Sequence, residues 1–195
     1  MLMRLFISLD FEPLRPVLKD IQDQVSDIAD SDAFRLKPAR SYHCTLLFLG
    51  EIGQENLAFI QQGLSEISFT PFYLKLDSIG FFPSGSSIQV IWVGLSPVGE
   101  IKELAKKVRE ATVYSLSGGK EPNLEGLDNK EFIPHITLAR VKPFKDAQAA
   151  LEHLKAIRVK PALIEIKRFH LIQSTLTLQG PEYRVIASFP EGETP

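Results

Sequence analysis

Two apolar segments of this chain carry one pattern, Tyr42-His43-Cys44-Thr45-Leu46 and Pro134-His135-Ile136-Thr137-Leu138, offset by 135 − 43 = 92 residues. An offset of that length does not describe a solenoid, whose units run about 20 to 50 residues. It describes two related halves, and it restricts the fold to arrangements that bring two equivalent strands together. Successive side chains of a strand point to opposite faces, so His43 and Thr45 share one face while Cys44 and Leu46 share the other. The same parity sets His135 and Thr137 against Ile136 and Leu138. Each strand therefore presents one imidazole and one hydroxyl together.

The hydropathy pattern around the motifs repeats as well. An apolar run from Arg4 to Leu9 reads as a strand, and Asp10-Phe11-Glu12-Pro13 as a helix entrance with proline in the first turn. Leu14, Val17, Leu18, Ile21, Val25 and Ile28 recur at spacings of three and four, which predicts an amphipathic helix over 14–28. A buried strand over 42–49 stops at Gly50, followed by a helix over 54–67 and an alternating strand over 72–79. The order then restarts with a strand over 88–95 and a helix entered at Ser96-Pro97 that carries Ile101, Leu104, Ala105 and Val108. A loop rich in Gly, Asn and Pro covers 117–131 and is a candidate for the rim of a site. A strand over 132–141, a helix over 146–154 and strands near 163–174 and 183–189 complete the second half. Both halves read strand, helix, strand, helix, strand. The expected fold is α+β: one domain over 1–195, built of two pseudo-symmetric lobes of roughly 1–80 and 81–195. Each lobe is a mainly antiparallel sheet with outer helices, the two enclose a central cleft, and strands can be exchanged between them.

Composition narrows the function. With 195 residues, 44% hydrophobic and 24% charged, the chain falls in the range of ordinary globular proteins. Its formal net charge of −2 gives no global positive field, so a nucleic-acid partner has to be gripped locally. The lone cysteine, Cys44, cannot form an intrachain disulfide, and the N-terminal residues lack the basic and uninterrupted apolar regions of a signal peptide. No apolar run approaches the ~18 residues of a membrane span. A cytoplasmic monomer with no obligate protein partner is expected.

If a pseudo-twofold axis relates the lobes, two imidazoles and two threonine hydroxyls converge on one spot, which suits phosphoryl transfer. Opening a cyclic phosphodiester requires a base to take a proton from attacking water and an acid to protonate the departing ribose oxygen. Histidine serves both roles near neutral pH, and threonine hydroxyls can donate to the non-bridging oxygens. A single His on an apolar strand is more often a core residue, but seven Thr and four His in this chain place Thr two positions after two of the His in only roughly one percent of shuffled sequences. His153 and His170 lack the pattern and read as structural or surface residues. No cofactor and no metal is expected, because strand parity turns Cys44 away from His43 and no clustered ligands complete a tetrahedral set. Arg140 is a candidate substrate contact, although regular parity puts it on the far face. Phe11, Tyr42 and Phe132 are candidates for stacking a base, against core packing as the alternative.

His-x-Thr-x twice, about ninety residues apart, resembles the two-histidine phosphoesterase superfamily, in particular the LigT-like bacterial RNA 2',3'-cyclic phosphodiesterases. Arg4 to Ile7, Tyr42 to Glu51 (YHCTLLFLGE), Val90 to Leu95 (VIWVGL), Phe132 to Arg140 (FIPHITLAR) and Ser174 to Tyr183 (STLTLQGPEY) fall where that family has its characteristic segments. The resemblance implies His43 as proton donor, His135 as proton acceptor, Thr45 and Thr137 as phosphate ligands, and a 2'-phosphomonoester product. It implies RNA ends or a nucleotide bearing a cyclic phosphate as the partner, and 2'-5' RNA joining or cleavage as a related reaction. Relatives that act on other cyclic phosphates, or only bind nucleotides, leave those readings open. Two positions depart from the family pattern: Gln89 stands where many relatives carry arginine, and Ser41 where asparagine is more usual. Glutamine offers hydrogen bonds without charge, which bears on anion binding.

Overall fold

A computed structural model of the chain describes residues 1–31, 34–84, 87–118, 131–142, 147–178 and 180–190. Its strands are β1 (Leu2–Asp10), β2 (Leu36–Pro38), β3 (His43–Gly53), β4 (Phe72–Ser84), β5 (Ser87–Ser96), β6 (His135–Val141), β7 (Leu163–Ile166), β8 (Phe169–Thr177) and β9 (Gly180–Phe189). The helices are α1 (Arg15–Ser31), α2 (Leu57–Ser65), α3 (Gly99–Leu116) and α4 (Ala147–Lys155), with short 3-10 turns at Glu12–Leu14 and Gln54–Asn56 leading into α1 and α2. The fold is α+β. Most of the loop expected over 117–131 lies outside the described residues, as does the expected helix start at Asp146.

Two antiparallel sheets carry the molecule, one in the order β3-β1-β8-β9 and one in the order β2-β6-β5-β4-β7. Each draws strands from both halves of the sequence. The division near residue 80 is thus not a sheet boundary: β4 pairs with β5 and β7, while β8 pairs with β1. The strand expected near 163–174 is two strands, broken at Lys167-Arg168, and its two parts belong to different sheets. Apolar runs before and after a sheet switch look alike in sequence, because both bury one face. Strand β2, in the polar stretch containing Pro38, carries no apolar alternation that would announce it.

The helices pack in pairs, α1 with α4 and α2 with α3. The first pair lies against β2, β4 and β6, the second against β3 and β9. Between helices and sheets runs one core. Leu5, Ile7 and Leu9 of β1, Leu18, Ile21 and Val25 of α1, Leu104 and Val108 of α3, and Ile136 and Leu138 of β6 are all buried. The expected helical spacing in α1 and α3 is the spacing by which these side chains meet the sheets.

The seam between the sheets runs along β3 and β6, the strands that carry the two motifs. Cys44 points into the core there, and the backbone N–H of His135 faces its sulfur. Burial pushes the Cys44 thiol up to about 12. The repeat extends to a backbone irregularity. On β3, Ser8 and Ile7 pair with Thr45 and Leu47, so Leu46 is a bulge. On β6, Trp92 and Ile91 pair with Thr137 and Ala139, so Leu138 is a bulge. Leu46 and Leu138 are equivalent positions at 138 − 46 = 92 residues. A bulge inserts one residue and shifts every later side chain to the other face.

Candidate active site

His43, Thr45, His135 and Thr137 line a single cleft of about 770 Å³. Strand parity places each His and Thr on the cleft side of its strand, and the seam brings β3 and β6 together. Beyond each motif, the bulge sets which side chains face the cleft. Regular parity sends Arg140 to the far face, but the extra residue at Leu138 leaves Leu138 and Ala139 both buried and turns Arg140 into the cleft. The equivalent bulge at Leu46 does the same for Phe48.

Phe11 and Tyr42 do not reach the cleft. Phe11 is 0% exposed and Tyr42 1%, both in the core, where the Phe11 backbone N–H donates to the Tyr42 carbonyl at 3.0 Å. Tyr42 shares parity with Cys44, so the rule that aims His43 outward aims Tyr42 inward. Phe132 is partly buried against the same core and does not line the cleft either. Nearness in sequence to a motif strand is not nearness to its exposed face. The rings that meet the imidazoles come from neighbouring strands instead. Phe6 on β1 and Tyr183 on β9 lie 5.2 Å and 5.3 Å from the His43 ring. Phe82 on β4 and Trp92 on β5 lie 4.8 Å and 5.7 Å from the His135 ring.

These surroundings set the proton affinities. Burial pulls His43 down to about 4, helped by the nearby His135 and opposed by Asp10 and Glu12. Burial also lowers His135, while its hydrogen bond to a backbone carbonyl opposes the shift. That bond joins His135 Nδ1 to the Ile133 carbonyl oxygen at 2.7 Å, so Nδ1 carries the proton and Nε2 is left as the nitrogen available to a substrate. Ser41 Oγ lies 3.3 Å from His43 Nδ1, so the serine at this departure from the family pattern orients the first imidazole. The other departure, Gln89, is exposed and outside the cleft lining.

The cleft is basic. Arg4, Lys37, Arg40 and Arg140 line it, and none of its described lining residues is acidic. Arg4 stacks over the Phe48 ring at 5.1 Å, and Arg4 and Arg140 both act on Tyr183 electrostatically. The cleft is thus locally cationic in a chain of net −2. Arg4 falls within one of the segments that carry the family resemblance; Lys37 and Arg40 sit in a stretch with no pattern to mark them. Among the described residues, no group of three or more His, Cys, Asp or Glu side chains is placed to hold a metal ion. Nor is any described helix long and apolar enough to cross a membrane. His170 lies outside the cleft lining, with Nδ1 2.8 Å from Ser188 Oγ.

Residues 13–177 match the family model of the 2'-5' RNA ligase superfamily. The chain belongs to that superfamily. A relative from Archaeoglobus fulgidus named RNA 2',3'-cyclic phosphodiesterase is 35% identical over 188 residues, covering 96% of this chain and 99% of the relative. Another of the same name from Methanocaldococcus jannaschii is 31% identical, covering 94% of this chain and 98% of that one. The crystal structure of TT0787 of Thermus thermophilus superposes with a TM-score of 0.72 at 31% identity, covering 96% of this chain and 97% of that one. Escherichia coli LigT complexed with 3'-AMP shares the fold, with a TM-score of 0.66 at 24% identity over 97% of this chain and 98% of LigT.

Proposed function

We propose that this superfamily member is an RNA 2',3'-cyclic phosphodiesterase that opens cyclic phosphate ends to 2'-phosphomonoesters, acting as a monomer in the cytoplasm. One observation carries the reading: two His-x-Thr motifs meet in one cleft whose described charged lining residues are all cationic. Both curated relatives described above bear the name of this activity over nearly their full length.

In this reading His135 Nε2, held as a free base by the bond from Nδ1, takes a proton from water as that water attacks phosphorus. The P–O3' bond breaks, and His43 protonates the leaving 3'-oxygen. Thr45, Thr137 and Arg140 hold the non-bridging oxygens as negative charge builds on them. His43 needs a proton for this role, and the phosphate supplies the reason to acquire one, since an anion beside a lowered imidazole raises its affinity for protons. A ribose 5'-hydroxyl in place of water yields a 2'-5' linkage by the same steps, which connects hydrolysis to the superfamily's name.

The test is turnover of an RNA ending in 2',3'-cyclic phosphate, in chelator, by wild type, His43→Ala and His135→Ala, with the product position identified. Each substitution is expected to lower kcat by at least ~100-fold and to yield no 3'-phosphate. Residual activity of His43→Ala is expected to lose the fall at high pH, and that of His135→Ala the fall at low pH. Full activity in either variant overturns the two-histidine reading. Tight nucleotide binding by the wild type without turnover makes the protein a binding module instead.

A further inference from the structure

Gln22 lies on α1, outside the cleft, and is 4% exposed among Leu18, Ile21 and Val25 of the core. A buried amide costs stability unless its donors are met, and both of its N–H groups are: Nε2 donates to the Ala39 carbonyl at 3.0 Å and to the Leu138 carbonyl at 2.8 Å. These two acceptors sit on the two walls of the basic cleft. Ala39 belongs to the segment that brings Lys37 and Arg40 to the lining, and Leu138 is the bulge that turns Arg140 inward.

We propose that Gln22 is a positioning residue which holds these two basic walls in register for an anion, and the proposal rests on the phosphate-binding reading of the cleft. Strand β2 is short, flanked by backbone bonds from Lys142 N–H to the Arg35 carbonyl at 3.0 Å and from Ala39 N–H to the Leu138 carbonyl, and Arg15 donates to the Arg40 carbonyl at 3.0 Å. The strand pairs with β6 over Leu36 to Pro38 only, and Pro38 has no N–H to give to the ladder. Lys37 stands directly opposite Arg140, and like charges in that relation push paired strands apart. The bulge carbonyl of Leu138 lacks a β5 partner residue and accepts instead from the Ala39 N–H at 2.8 Å and from Gln22. A methionine or leucine at position 22 fills the same space in the core but supplies no donor, whereas the amide donates to both walls. Removing its donors leaves the two walls joined by backbone bonds alone, so their register loosens and the affinity for a phosphate group falls while the two imidazoles stay where they are.

The experiment measures the affinity for adenosine 2'-monophosphate by calorimetry, beside kcat, KM and thermal stability, in wild type, Gln22→Met, Arg140→Ala and the double variant. Gln22→Met is expected to weaken the Kd and raise KM by about 5-fold or more, to lower kcat by less than Arg140→Ala does, and to add less than about 2-fold to the affinity loss of Arg140→Ala. An unchanged Kd in Gln22→Met overturns the proposal. So does an equal loss in the Arg140→Ala background, which makes the two residues independent, or an Arg140→Ala protein that binds like wild type. Should Gln22→Met fail to fold, Gln22→Glu carries the test. It offers one donor while its carboxyl is protonated and none when ionised, so its affinity relative to wild type falls as pH rises; a ratio flat with pH overturns the proposal. Binding needs no turnover, so failure of the phosphodiesterase reading shows separately, in an inactive wild type.

Discussion

His43 packs between Phe6 and Tyr183 and shares its cleft with a second imidazole, so its proton costs more in the folded chain than in the unfolded one. The unfolded value is 6.5 and the folded one about 4. Between those two pH values the unfolded chain binds a proton at this residue and the folded chain does not. Stability therefore falls as pH drops through the window from 6.5 to about 4, by on the order of 3 kcal/mol from this one group. His135 and His170 are lowered too and act in the same direction. Urea denaturation at a series of pH values is expected to show this slope, and His43→Gln to flatten it measurably. A variant with an unaltered slope places the cost elsewhere. Residue parity was the most legible signal in the sequence: it alone puts His43, Thr45, His135 and Thr137 on one side of their strands. The same rule, applied to Tyr42 and to Phe11 after Leu9, puts both rings in the core where the structure has them.

At the scale of elements, each imidazole rests on a strand that carries no motif. His135 depends on Trp92, and the indole in turn lies across Gly80, its partner on β4. A Cβ at Gly80 falls 2.1 Å from the indole ring, far inside van der Waals contact. Gly80→Ala must displace the indole and with it the ring that shields His135. The expected cost is about 1 to 3 kcal/mol of stability, together with a fall of roughly 10-fold in kcat/KM. Activity and stability equal to wild type dissociate Trp92 from the site. Nothing in the sequence marked Gly80, since its role depends on which residue sits opposite in a neighbouring strand. The bulges at Leu46 and Leu138 were hidden for the same reason. A strand's own alternation looks regular until its partner shows which residue is left over, and so regular parity counted against Arg140, a candidate contact that the bulge turns into the cleft. Helix spacing, which needs no partner to be read, located α1 and α3 closely.

For the molecule as a whole, the basic cleft stands in an acidic chain. Four cations line it against a formal net charge of −2, so attraction of an anionic ligand is local rather than global. Binding of a short single-stranded RNA end is expected to weaken with added salt, with a log–log slope of magnitude no greater than about 3, as release of counterions by four cations requires. A steeper slope means that an additional charged surface takes part. The net charge had already excluded broad backbone binding, but it said nothing of where the cations gather, because Arg4, Lys37, Arg40 and Arg140 come from β1, β2, the segment before β3 and β6.

The sheet that presents His43 is made of β1 and β3 from the first 53 residues and of β8 and β9 from Phe169 onward. A chain growing from its N-terminus has both histidines in hand by residue 135, yet two of the four strands that frame the first of them have still to be synthesised. Tyr183, which packs on the His43 ring, comes 183 − 135 = 48 residues after the second motif histidine. A nascent or truncated polypeptide ending before β8 holds both motif histidines and lacks the wall that surrounds one of them, so the cleft is completed by the closing strands rather than by the motifs.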